Sequence, residues 1–261
     1  SVELIQYKYI SRKIGLCGTY NCVDLDVPAS KAIKNVIKSI QPGTPPPTEV
    51  TVRYPIALPK EYEYSEDDNE INLRMVEELH ELFMTLYMSM LRLAPPLYAA
   101  VPIFNRSPSE EVRQFGYVYV TEAGWTSLHG FLSDDLDSEQ TSALAASTLE
   151  CVRKTSANGM LLLDVKTLNM VVRELTDARS YDVRMIDFGS DFALYTGGSF
   201  KGKTLPSCIF FVNGLLLLNN ANKMHGGQRE VFLPLCVEVV AMWRAMKELD
   251  AVSGLCAYLY E

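Results

Sequence analysis

From Ile71 to Leu93 the apolar residues Leu73, Val76, Leu79, Leu82, Phe83, Leu86 and Met90 recur at the spacing of one helix face, until Pro95-Pro96 stops the pattern. No other stretch in the first half is so secure a helix, and what surrounds it is β-type. Leu4 to Asp26 alternates and carries β-branched residues, broken by Gly15-Leu16-Cys17-Gly18, which predicts two strands around a glycine-containing turn. Val50 to Leu58 and Phe115 to Val120 read as further strands. Gln41 to Thr48 is proline-rich and Glu61 to Glu70 is acidic, so both are expected to be exposed loops. Lys31 to Ile37 is open to two readings: a strand completing an antiparallel meander, or a helix with Ala32, Ile33, Val36, Ile37 and Ile40 as its apolar stripe.

After residue 123 the character changes. A helix is expected from Ser138 to Thr155, ended by Asn158-Gly159. Short apolar segments follow at Met160–Leu163, Met170–Val172 and Val183–Ile186, and beyond Cys208 apolar runs at helical spacing surround a gap at Gly226-Gly227. The plan is α+β and two-lobed: residues 1–123 form a small antiparallel-sheet lobe with one long helix, and residues 124–261 a mainly helical lobe.

Composition narrows the function classes. With 261 residues and 48% hydrophobic content the chain can bury a proper core. A net charge of -8 argues against a nucleic-acid or anionic-membrane binder, which needs a basic face to displace counterions. Any phosphate must therefore be met locally. The six cysteines lack disulfide-scaffold or zinc spacing and read as reduced thiols, which places the protein in the cytoplasm or another reducing intracellular compartment. The three histidines are scattered, the start lacks a secretion signal, and the most apolar run, Cys208 to Leu218, is too short to span a bilayer.

The segment richest in chemistry runs Leu163-Asp164-Val165-Lys166-Thr167-Leu168-Asn169-Met170, followed downstream by Met185-Ile186-Asp187-Phe188-Gly189. It sets two carboxylates, an ammonium and an amide at the ends of apolar strands, where a hairpin would bring them together. Carboxylate and amide oxygens suit a hard cation such as Mg2+, which in turn takes phosphate oxygens. A lysine beside them neutralises charge on a transferring phosphoryl group.

This run resembles the protein-kinase catalytic loop, Asp-x-Lys-x-x-Asn, with the Asp-Phe-Gly metal motif after it. The resemblance implies a two-lobed kinase-like fold that uses ATP and Mg2+, the nucleotide lying in a cleft between lobes with a hinge near residue 123. It implies that Asp164 is the catalytic base, that Lys166 steadies the γ-phosphate, and that Asn169 and Asp187 hold metal ions. Tyr117 to Leu132 is similar to the last N-lobe strand, hinge and following helix, so Thr121 takes the gatekeeper place and Glu122 and Ala123 offer backbone hydrogen bonds to an adenine. Ile14 to Val23 resembles a phosphate-covering loop through Gly15, Gly18 and Val23, with Asn21 in place of the third glycine. Ala32-Ile33-Lys34 resembles the strand motif whose lysine contacts the α- and β-phosphates. If Lys31–Ile37 is instead a helix, Val50-Thr51-Val52-Arg53 takes that strand position with Arg53 for the lysine, and Glu77, Glu78 or Glu81 supplies its ion-pair partner.

The sequence departs from the family in two places. Leu162-Leu163 replaces the His-Arg before the catalytic aspartate, so activation through a phosphorylated segment is not expected. Only 74 residues follow Asp187, and no Ala-Pro-Glu closes an activation segment; Ser207 to Leu218 reads as the next helix without its polar anchor. An atypical kinase acting on a Ser or Thr hydroxyl of a protein substrate is the expected function, with a scaffolding pseudokinase and a small-molecule phosphotransferase as alternatives.

Overall fold

The structure, a computed structural model, describes residues 16–17, 21–55, 68–106, 112–133, 135–175, 180–189, 193–195, 205–221 and 226–249. The chain divides into two compact units, Ser1–Ser89 with Pro95–Gly124, and Met90–Ala94 with Trp125–Glu261. The architecture is α+β, with an antiparallel sheet and its helices in the first unit and mostly helices in the second.

In the first unit the strands are β1 (Leu16–Cys17), β2 (Asn21–Pro28), β3 (Glu49–Pro55), β4 (Leu97–Arg106) and β5 (Val112–Glu122), and they hydrogen-bond in the order β1-β2-β3-β5-β4. Helix α1 (Lys31–Ile40) lies between β2 and β3 in the chain, and α2 (Asp68–Met90) between β3 and β4. Alternate residues Val50, Val52 and Tyr54 of β3 and Val118 and Val120 of β5 point to one face, where they pack with Ile33 and Ile37 of α1. Each isoleucine buried there contributes roughly 1.5–3 kcal/mol.

That packing resolves the ambiguity at Lys31–Ile37 and corrects the strand placement of Lys34. The segment is a helix because Ile33 and Ile37 share a face the sheet can cover, and because the Ser30 hydroxyl caps the helix by accepting from the Ile33 amide at 3.2 Å. Lys34 is therefore a helix residue, and Arg53 lies on strand β3, as the alternative reading had it. The expected strand Val50 to Leu58 is observed as β3, and residues 56–58 lie outside the described residues. In this unit β4 was not expected at all.

The second unit contains β6 (Thr126–Ser127), α3 (Leu128–Phe131), α4 (Ser138–Ala157), β7 (Met160–Leu162), β8 (Met170–Glu174), β9 (Tyr181–Met185), β10 (Ala193–Tyr195), α5 (Leu205–Ala221) and α6 (Leu233–Leu249). Helix α4 starts in a capping box: the Asp137 carboxylate accepts from the amides of Glu139 and Gln140, and the Gln140 side chain accepts from the Asp137 amide. It ends at Asn158 and at Gly159, whose φ of 76° is the left-handed turn that glycine adopts without strain. Helices α5 and α6 pack so closely at Gly214 that a β-carbon there would sit 2.6 Å from Val239 Cγ2. Buried Trp125 lies against two guanidinium groups, Arg173 at 4.3 Å and Arg184 at 4.7 Å from its ring.

Cys151, Cys208 and Cys236 are free thiols, and burial pushes the Cys151 thiol up to about 12. Cys22 is disulfide-bonded, which corrects the reading of all six cysteines as reduced and removes the basis for assigning a reducing compartment. Among the described residues no helix is long and apolar enough to cross a membrane.

Candidate functional site

Between β7 and β8 the chain turns through Leu163–Asn169, and the turn is held from beneath. Val165 is buried, and its carbonyl accepts from Asn220 Nδ2 of α5 at 2.8 Å. Thr167 to Asn169 form one 3-10 turn, closed by the Asn169 amide donating to the Lys166 carbonyl at 2.9 Å. The Thr167 hydroxyl points inward and meets His129 Nδ1 of α3 at 3.2 Å.

With its alternate side chains fixed inside, the loop brings three of the sequence-derived site residues together. Asp164 Oδ2 accepts from Lys166 Nζ and from Asn169 Nδ2, the latter at 2.9 Å, and Asn169 Nδ2 also reaches the Asp164 carbonyl at 3.1 Å. Asn169 is buried, whereas the Asp164 and Lys166 side chains keep 21% and 35% of their surface in solvent, enough to touch a ligand while still paired.

The fourth residue arrives by strand pairing. Met170 faces Met185 across the β8–β9 ladder, and the Ile186 amide donates to the Asn169 carbonyl at 2.9 Å, so Asp187 begins where that ladder stops. Asp187 is exposed and has a φ of 67°, a left-handed conformation uncommon for any residue but glycine. Phe188 after it is 98% buried, at 2% exposure, and anchors the segment.

No group of three His, Cys, Asp or Glu side chains among the described residues could hold a metal ion unaided. The donor set nevertheless fits a phosphate-bound Mg2+. The Asn169 amide uses its nitrogen on Asp164, leaving its carbonyl oxygen as a hard ligand, and Asp187 supplies carboxylate oxygens; a cation here would complete its shell with phosphate and water.

Two anchors were invisible in the sequence. Asn213, fully buried in α5, donates to the Met160 carbonyl at 2.9 Å and to Ser156 Oγ at 3.1 Å, and accepts from the Leu162 amide at 3.0 Å. With Asn220, it corrects the expectation that this helix lacks a polar anchor. The available signal was an amide inside the apolar run Cys208–Leu218, since a polar side chain so placed needs a partner.

The remaining residues belong to the first unit. Gly15 and Gly18 lie outside the described residues. Val23 sits on β2 opposite Arg53. Glu81 makes a close ion contact with Arg53 without hydrogen-bond alignment, and the guanidinium also lies 5.4 Å from the Tyr119 ring centre. Burial first, and Glu81 second, raises the Tyr119 hydroxyl above its usual range. Thr121 and Glu122 are still within β5, and the Glu122 amide is spent on the Pro96 carbonyl at 2.9 Å. Ala123 follows the strand, and the next amide, Gly124, donates to Asp26 Oδ1 at 2.7 Å.

A five-stranded antiparallel sheet with a helix before its last two strands, then a helix, a loop bearing Asp164, Lys166 and Asn169, and a hairpin ending at Asp187, is a protein-kinase-like arrangement. The structure of WaaP in complex with acyl carrier protein is similar over 82% of this chain and 81% of its own, at 14% identity and a TM-score of 0.43. The Rio2 kinase-ADP/Mg2+-phosphoaspartate complex from Chaetomium thermophilum is similar over 77% of this chain and 65% of its own, at 11% identity and a TM-score of 0.39. Both are similarities of fold, and neither bears on what this chain binds. No family model and no curated protein matches the sequence.

Proposed function

We propose that the chain is an atypical kinase that moves the γ-phosphate of ATP, held with Mg2+, onto an acceptor hydroxyl, with a Ser or Thr hydroxyl as the leading candidate. The observation that carries this reading is the contact of Asp164 with both Lys166 and Asn169 in one loop, with Asp187 at the end of the adjoining hairpin. Asp164 accepts two donors on Oδ2, which leaves Oδ1 to take the acceptor's proton. As the acceptor O–H bond breaks, a new O–P bond forms and the bond from γ-phosphorus to ADP oxygen breaks. Lys166 is near enough to Asp164 to move its ammonium toward the transferring group, where charge builds up. Asn169 and Asp187 would hold the cation, whose contribution is to neutralise phosphate charge. Asp164 is oriented by Asn169, which is fixed through its own backbone to Lys166 and Ile186.

The test is transfer of label from γ-labelled ATP to an acceptor panel of proteins, peptides and small hydroxyl compounds, with Mg2+, for the unaltered chain against Asp164→Asn and Asp187→Asn. The expected result is transfer that falls at least a hundredfold in both variants. Equal silence of all three, with no stabilisation of the chain by Mg2+ and ATP, would sink the reading. The second reading is a pseudokinase that binds a protein partner, and Arg53 favours it: a planar guanidinium pinned by Glu81 is a poor substitute for a compact ammonium on phosphates. Nucleotide binding without transfer to any acceptor would select it.

A further inference from the structure

We propose that the Asp26 carboxylate is an autoinhibitory group: it occupies the Gly124 amide, which a nucleotide base would otherwise take. The inference rests on the kinase reading and adds a regulation to that same site.

The contact is built by an irregularity in the sheet. The β2–β3 ladder passes from Asp24 opposite Val52 to Val27 opposite Val50, so Leu25 and Asp26 face Thr51 alone. β2 thus carries one extra residue, a bulge, and bulges re-aim a side chain. Asp26 adopts a φ of 49°, in the left-handed region that aspartate enters more readily than most residues. Thr51 in turn pairs with Thr121 of β5, which sets the bulge level with the end of β5 across β3. From there Asp26 Oδ1 accepts from the Gly124 amide at 2.7 Å, a short bond of the kind a carboxylate makes. Both residues belong to the first unit.

Gly124 follows directly on Thr121, Glu122 and Ala123, the residues read as meeting an adenine. The strand has ended, the residue is exposed with a φ of 82°, and a β-carbon built there would have nothing within 4 Å, so a planar ring has room. A base with a ring-nitrogen acceptor needs an N–H donor from this segment. The Glu122 amide is spent on the Pro96 carbonyl, and the Gly124 amide is held by Asp26. Because the Asp26 contact is exposed, water weakens it and a well-placed acceptor displaces it. The carboxylate therefore lowers affinity without abolishing it: closed roughly nine-tenths of the time, the contact reduces apparent affinity about tenfold.

The probes are Mg2+-ATP, adenosine and Mg2+-tripolyphosphate, the last carrying phosphates and no base. Binding of each is measured by titration calorimetry on the unaltered chain, Asp26→Gly and Asp26→Asn. Glycine takes a φ of 49° without strain, so Asp26→Gly removes the carboxylate and keeps the bulge. Support is ATP and adenosine binding about tenfold tighter in Asp26→Gly, by a smaller factor in Asp26→Asn, whose side chain still accepts but without charge, and tripolyphosphate binding unchanged. Equal tightening of tripolyphosphate would overturn the inference, because Asp26 would then be repelling phosphate and not occupying the amide. ATP binding that is the same in all three chains, or weaker in Asp26→Gly, also overturns it and leaves the kinase reading standing. If none of the three chains binds ATP, the kinase reading fails and the inference falls with it.

Discussion

The loop that carries Asp164 and the strand that carries Arg53 both set polar side chains among apolar neighbours, and they are secured by different means. Beneath the loop, two asparagines of α5 hydrogen-bond directly to the backbone of β7 and of Val165, so the geometry is fixed by short directional contacts. Arg53 is met by the charge of Glu81 and by the face of Tyr119. Directional bonds to the main chain hold position to a fraction of an ångström, whereas a charge contact tolerates sliding. The site residues that come together are those on the directional scaffold.

The sharpest way to break this contrast is Asn213→Leu. It orphans the Leu162 amide and the Met160 carbonyl in a buried place and is expected to cost about 3–5 kcal/mol, with hydrogen-exchange protection lost around β7 and kept in the sheet of the first unit. Equal loss in both units would show that the anchor is not local. Arg53→Leu should do the reverse: an unpaired Glu81, whose side chain is only 12% exposed, costs about 3 kcal/mol, read by urea denaturation and by exchange confined to β3 and α2. Glu81→Gln with Arg53→Leu should recover part of that loss. Gly214→Ala forces a contact with Val239 and is expected to cost about 2 kcal/mol, relieved by adding Val239→Ala, with the melting temperature of each variant as the readout. Ser30→Ala removes the cap of α1 and should cost about 1 kcal/mol, visible in the first unit alone.

How far the sequence could be read follows the same physics. Helices α2 and α4 were legible because their stop signals are clear, but the stripe that marked α2 is not its buried face: Val76, Leu79, Phe83, Leu86 and Met90 are exposed, while Met84 and Met88 are buried. The catalytic-loop resemblance rested on residue types that the chemistry needs at fixed spacing. Strand β4 was not legible: Pro102 sits within it, and a proline argues against a strand unless the strand is at the edge of a sheet, which is where β4 lies. Local pattern could not decide α1, since strand and helix both bury its isoleucines; the face of the sheet it covers decided it. That Glu81 reaches Arg53 likewise depends on which turn of α2 lies above the strand, a tertiary fact. The roles of Asn213 and Asn220 were not legible because their partners lie some fifty residues back in the chain.

The backbone angle of Asp187 governs how its role should be dissected. Aspartate and asparagine tolerate a φ near 67° better than alanine does, because their short polar side chains can bond locally. Trimming this residue to a methyl group would therefore disturb two properties at once, the charge and the turn. The amide isostere removes only the first, so a defect seen with alanine and absent with asparagine would report on chain geometry, and only a defect common to both would speak for the carboxylate.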